Sequence, residues 1–260
     1  NAIIVDDKAT NMFEGMSNSD HLGGFGVVDM SYDFDGDGGN DLLISARYAD
    51  DGAGDGGAVY IVLASTLAET EGKINIEEAD YAIRSTASSS ECGTDAEFMN
   101  DWSGDGLPDL LIGCSVYDEG GSNDRGKVFL IKSETLLDDD DYLTEYLNLE
   151  DDFDVSIRGR HSSDFCGSDV GGMGDFDGDG IEDFFIGCER DDDGTSDGGS
   201  VFVIPGGSIS DGAYDIDDIS GRHLIYNSSG THLADRDYPT VVGPGDIDGD
   251  GMADLLMAGQ

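Results

Sequence analysis

A nine-residue acidic loop written four times constrains this chain more than any other feature. The copies are Asp33-Phe-Asp-Gly-Asp-Gly-Gly-Asn-Asp41, Asp101-Trp-Ser-Gly-Asp-Gly-Leu-Pro-Asp109, Asp175-Phe-Asp-Gly-Asp-Gly-Ile-Glu-Asp183 and Asp246-Ile-Asp-Gly-Asp-Gly-Met-Ala-Asp254. Their first aspartates stand at 33, 101, 175 and 246, so successive copies start 68, 74 and 71 residues apart. A steady period of this size is the mark of a repeat architecture. The 260 residues therefore read as one array with units near 12–66, 81–133, 155–207 and 223–260.

Acidic side chains at positions 1, 3, 5 and 9 of a tight loop can turn their oxygens toward one hard cation, and glycine at position 6 permits the turn. Position 7 offers its main-chain carbonyl. The candidate ligands are Asp33, Asp35, Asp37, Gly39 and Asp41; Asp101, Ser103, Asp105, Leu107 and Asp109; Asp175, Asp177, Asp179, Ile181 and Asp183; and Asp246, Asp248, Asp250, Met252 and Asp254. The expectation is calcium, up to four ions, one per loop. A helical calcium hand needs a glutamate at position 12, where this chain has Ile44, Ile112, Ile186 and Met257. Asp-Gly pairs also make plain hairpin turns, but four matched copies favour metal. Ser103 offers a neutral ligand, so the second site is expected to be the weakest. Phe34, Trp102, Phe176 and Ile247 at position 2 are expected to pack beneath their loops, Trp102 as a core residue.

Within each period the apolar runs are short and rich in β-branched and aromatic residues, which predicts strands. One follows each loop, at 42–44, 110–112, 184–186 and 255–257. A second follows a glycine-rich turn, at 59–62, 128–131 and 201–204, and a third lies at 81–83, 155–157 and 224–226. With the strand entering the loop, as at 24–28, this makes four per unit. The predicted fold is all-β, a β-propeller of four-stranded blades. Parallel β-helices and leucine-rich arrays use shorter periods, and helical periodicity is absent. The longer inserts, such as Ser133 to Asp154, are expected to carry a helical turn.

Twelve basic against 58 acidic residues give a net charge of −46, which excludes nucleic acid and an anionic membrane as natural partners. No apolar run is long enough for a transmembrane helix. No secretory signal is visible, and Asn1 reads as the start of a mature or excised chain. Cysteines at 92 and 114, and at 166 and 188, form two pairs with the same 22-residue spacing. Each pair brackets a metal loop, so Cys92–Cys114 and Cys166–Cys188 are the expected disulfides, each within an asymmetric or bulged hairpin. Pairing between neighbouring units and four free thiols are the alternatives. Calcium loops with paired cysteines point to an oxidising, extracellular setting.

The fourth unit lacks its outer half, because only six residues follow Asp254, while Ala2-Ile3-Ile4-Val5 and Met12-Phe13-Glu14-Gly15 look like such a half. Residues 1–15 could complete the last blade within one chain, or between like chains in a ring or head-to-tail filament. The third option is a longer propeller of which these residues are a part.

The combination of Phe25-Gly26, the acidic loop, Leu42-Leu43-Ile44 and Gly57-Ala58-Val59-Tyr60-Ile61 resembles the FG-GAP repeat of the integrin α-subunit propeller and its microbial relatives. The resemblance covers nearly the whole chain. It implies a propeller with calcium in the loop joining the two inner strands of each blade, on extracellular proteins that adhere or assemble. Cys92-Gly93 and Cys166-Gly167 replace the Phe-Gly pair in two units, and the fourth has only Asp237-Tyr238 nearby. Integrin-like propellers normally have seven blades, against four loops here.

No nucleophile elbow, phosphate-cradling loop or histidine metal triad is present, so the expectation is a non-enzyme. His21, His161, His223 and His232 read as turn residues, and the acidic glycine-rich turns at 50–57, 119–126 and 191–199 as solvated hairpin ends. The first functional expectation is a secreted, calcium-stabilised structural or adhesive module contacting proteins or like chains. The second is a carbohydrate-binding or polysaccharide-lyase-associated propeller. Asn227-Ser228-Ser229 is a sequon for a glycan.

Overall fold

A computed structural model describes residues 2–4, 11–15, 17, 20–23, 28–50, 52–70, 72–119, 123–137, 146–194, 196–226, 233–234 and 241–257. The Phe25-Gly26 and Asp237-Tyr238 pairs, the Asn227 sequon, His232 and Val5 lie outside these residues.

The chain opens with strands β1 (Ala2–Ile4) and β2 (Asn11–Glu14). The first loop is framed by β3 (Val28–Asp29) and β4 (Leu42–Ala46), then come β5 (Ala58–Val62), helix α1 (Ala64–Glu69), β6 (Gly72–Asn75) and β7 (Tyr81–Arg84). The second unit repeats the order with β8 (Asp95–Met99), β9 (Asp109–Cys114), β10 (Lys127–Ile131), helix α2 (Ser133–Leu137), β11 (Leu147–Asn148) and β12 (Val155–Arg158). The third has β13 (Cys166–Gly174), β14 (Asp183–Cys188), β15 (Ser200–Ile204), β16 (Gly212–Asp215) and β17 (His223–Tyr226), and β18 (Val241–Gly245) and β19 (Asp254–Met257) frame the last loop. The protein is all-β, with short helical segments between strands.

Among the described residues the strands form five separate sheets, and none closes on itself. In the first, second and third sheets four strands meander antiparallel, in the orders β3-β4-β5-β7, β8-β9-β10-β12 and β13-β14-β15-β17. Four strands are thus observed in each of the first three units, but the first two sheets hold a fifth. β11 of the next unit joins β7 in parallel, and β16 joins β12 likewise. β6 pairs with β2 in the same parallel sense, beside β1. These edge strands are short and polar, so no alternation of apolar residues announced them.

Burial follows from the stacking of the sheets. All five residues of β4, β5, β10 and β15 are buried, because both faces of their sheets are covered. Leu42, Ile44, Tyr60 and Val62 on one face of the first sheet pack with Phe13 and Ile74. Leu43, Val59, Ile61 and Ile83 on the other face pack with Phe98, Leu110, Ile112 and Phe129 of the second sheet. Leu111, Val128 and Ile157 pack in turn with Val170, Phe184 and Phe202 of the third. Phe185, Val201 and Val203 reach Val241, Leu255 and Met257. The period-two alternation of strand side chains assigns each residue to one neighbour or the other.

The glycine of Gly57-Ala58-Val59 is required by this stacking. Gly57 has φ +87°, and an added Cβ would lie 2.1 Å from the carbonyl oxygen of Cys92, where the next unit crosses it in a parallel bridge. Gly126 repeats the arrangement against Cys166, with φ +82°.

Two expectations need correction. Phe34 is buried and Trp102 and Phe176 pack partly under their loops, but Ile247 is 64% exposed because no further sheet covers the β18–β19 hairpin among the described residues. His223 lies in β17 rather than in a turn, its ring edge-on to Phe176. The helical turn expected in the insert from Ser133 is observed as α2, and α1 occupies the same place in the first unit.

Candidate metal centres

Each acidic loop sits between an inner strand and the strand after it, and its shape is set by its own aspartates. In the third loop Asp175 accepts N–H bonds from Gly178 and Gly180 at 2.7 and 2.9 Å. Asp177 accepts from Asp179 at 3.1 Å, and Asp179 from Ile181 at 2.9 Å. The fourth loop repeats the pattern with Asp246, Asp248 and Asp250. Such side-chain to backbone bonds fold the chain tightly around its carboxylates. Gly178 and Gly180, with φ +82° and +89°, supply the left-handed turns.

This folding brings carboxylate oxygens within 4.8 Å of one another in three loops: Asp33, Asp35 and Asp37; Asp175, Asp177 and Asp183; Asp246, Asp248 and Asp250. In the first trio Asp33 Oδ1 is buried without a hydrogen-bond partner. An orphaned carboxylate oxygen among other carboxylates is unfavourable unless a cation meets it. The donor set is all oxygen, which suits a hard divalent ion. The residues therefore fit a metal ion of that class.

The second loop is different. Asp101, Asp105 and Asp109 form no such trio among the described residues. Ser103 supplies no carboxylate, and the Ser133 hydroxyl donates to Asp105 Oδ2 at 2.8 Å. The sequence signalled the first departure and not the second, because Ser133 lies 28 residues away.

The aspartates at position 9 do more than line a loop. Asp183 Oδ2 accepts from the N–H groups of Phe176 and Asp177, while Oδ1 accepts from Gly206 at 2.8 Å. Asp41 holds Phe34, Asp35 and Ala64 in the same way, and Asp109 holds Trp102, Ser103 and Ser133. All three side chains are fully buried. Burial raises their pKa, that of Asp109 to about 6, against the pull of these N–H bonds. Asp254 keeps the bonds to Ile247 and Asp248.

The expected cysteine pairing is observed. Cys92–Cys114 and Cys166–Cys188 are disulfides, and no described cysteine is free. Cys166 lies directly opposite Cys188 in the β13–β14 ladder, whose register shifts between Cys166 and Asp169 and again between Gly172 and Gly174. These irregularities are the predicted bulge.

A second acidic group was not anticipated. Glu97 on β8 is pushed up to about 8 by burial and by Asp95, Asp29 and Glu182, and burial holds Asp95 at about 6. An added Cβ at Gly171 would lie 2.5 Å from Glu97 Oε2, so glycine on β13 makes room for this carboxylate. Asp95 and Glu97 on β8, Asp29 on β3 and Glu182 just ahead of β14 come from three separate segments, so they carry no local motif.

Fold and loops together define an all-β repeat protein whose acidic loops can hold metal ions. No family model and no curated protein matches the chain. No helix among the described residues is long and apolar enough to cross a membrane. The two disulfides are consistent with a secreted or extracellular protein.

Proposed function

We propose that the chain is a secreted, calcium-stabilised β-propeller module of the FG-GAP type, with structural or adhesive rather than catalytic work. The observation that carries this reading is the recurrence of a carboxylate trio at one place in the first, third and fourth units, at the turn into the strands β4, β14 and β19. Four-strand meanders stacked face to face support the blade assignment. Calcium is favoured over magnesium because tight loops with several carboxylates and a main-chain carbonyl at position 7 suit its larger, flexible coordination. Charge of −46 leaves calcium ions as natural company and proteins or like chains, bridged by such ions, as partners.

Mass measurement in solution, in millimolar calcium and in excess chelator, tests the assembly part of the reading. A calcium-dependent shift from single chains to larger species is expected, and single chains in both conditions would remove like chains from the list of partners. Calorimetry on the same samples tests the metal part: an unchanged melting temperature in chelator would sink it.

A further inference from the structure

The rim of the second sheet carries a cavity of about 190 Å³, lined by Glu119, Lys127, Ser156, Arg158, Tyr214 and Asp215, with Ala213 on its wall. It shares no residue with the acidic loops. Comparison with the first sheet explains why it exists. Arg84 and Arg158 hold matching places, each paired with the first residue of the preceding strand and with the edge strand beside it: Arg84 with Ala58 and Asn148, Arg158 with Lys127 and Asp215. Two residues back from that edge partner the first sheet has Tyr146, and its ring lies under the Arg84 guanidinium at 5.0 Å. The second sheet has Ala213 there, opposite Ser156. The seat that an aromatic ring fills in one sheet is open in the next.

The walls of that seat are polar and matched in charge. Lys127, almost buried over the rings of Tyr117 and Phe129, reaches Glu119 at 3.3 Å. Arg158 pairs with Asp215. Ser156 is 1% exposed, and its hydroxyl has no hydrogen-bond partner among the described residues. A buried hydroxyl left unpaired is unfavourable, so a group that meets it is favoured. Two cations and two carboxylates sum to zero locally, and the chain as a whole repels anions. The volume is below the roughly 300 Å³ at which drug-sized ligand pockets begin. It suits one small ring.

We propose that this cavity binds a single neutral sugar ring. Glu119 and Asp215 would accept from its hydroxyls, Lys127 and Arg158 would donate to its oxygens, and Ser156 would gain its missing partner. The ring would take the seat that Tyr146 occupies in the first sheet. This goes beyond the metal reading and does not depend on it.

The test is calorimetric or NMR titration of the whole chain with methyl glycosides of glucose, galactose, mannose, fucose and N-acetylglucosamine, with glucuronate and acetate as anionic comparators. At least one neutral glycoside is expected to bind with a Kd on the order of 1 mM, as a site of this size allows. Ala213→Tyr, which copies the first sheet, should weaken binding by about tenfold or more, equivalent to ~1.4 kcal/mol, while leaving the melting temperature in place. Ser156→Ala, the smaller change, should weaken it several-fold and decides the matter if Ala213→Tyr does not fold. Binding of none of the neutral glycosides, binding of the anions alone, or binding indifferent to both substitutions overturns the proposal.

Discussion

The Ser133 hydroxyl donates a 2.8 Å hydrogen bond to Asp105 Oδ2, occupying a carboxylate oxygen that the matching loops leave for a cation. With Ser103 in place of a third acid, the second loop has both fewer charges and an internal substitute for metal. Calcium titration of the metal-free chain is expected to give three equivalents rather than four. Ser103→Asp combined with Ser133→Ala restores the charge and releases Asp105, and should raise the count to four, because calcium affinity follows ligand charge. A count of four for the unaltered chain would refute this account of the second loop.

Removal of metal should loosen the fold. A site filled at a hundredfold excess over its Kd stabilises by about 2.7 kcal/mol. At about 2–4 °C per kcal/mol for a chain of this size, each site lost to chelation lowers the melting temperature by roughly 5–10 °C. Asp177→Asn, which takes one charge from the third trio, should reproduce part of that drop in calcium and lower the affinity of one site by about tenfold.

The pH dependence of the metal-free chain is set by the buried acids. Glu97 stands at about 8 and Asp95 at about 6, both above their ordinary values, so the folded chain holds protons that the unfolded chain releases. Their contribution to stability is full below the unfolded values near 4 and is lost as pH rises toward 8. In chelator, melting should therefore be higher at pH 5 than at pH 8.5. Glu97→Gln keeps the shape and removes the ionisation, and should flatten this slope. Equal slopes for the two proteins would show that Glu97 does not titrate as its surroundings dictate.

Loss of a disulfide should be costly. Cys166 and Cys188 close a loop of sequence separation 22, for which chain entropy alone gives about 3 kcal/mol. Cys166→Ala with Cys188→Ala should lower the melting temperature by about 6–12 °C. Both cysteines also lie in the core between the second and third sheets, so alanine leaves some contacts unfilled. A reducing agent acting on the unaltered chain separates the two effects.

Much of the fold was legible because it is local. Val59-Tyr60-Ile61-Val62 and its counterparts are dense in strand-forming residues and follow glycine-rich turns, so strand positions could be read from composition and spacing. The cysteine pairing was legible for the same reason, since 22 residues around one hairpin place Cys166 opposite Cys188. The edge strands β6, β11 and β16 were not, because they are held by backbone bonds to a partner in the preceding unit and give the core one side chain each, Ile74, Leu147 and Tyr214, too few to show an alternating pattern. Ile247 misled in the opposite direction: its apolar side chain matches Phe34 in sequence, yet it lies on the last hairpin, where no described sheet follows.

The four acidic loops were determined by sequence alone, because each is built by side chains bonding to backbone within nine residues. Only the tertiary structure decided which loops gather a trio of carboxylates and where one sheet leaves open the ring seat that another fills. The Ser133–Asp105 bond and the exchange of Tyr146 for Ala213 act between segments far apart along the chain. Proximity of that kind is created by the stacking of sheets, and no local pattern of residues encodes it.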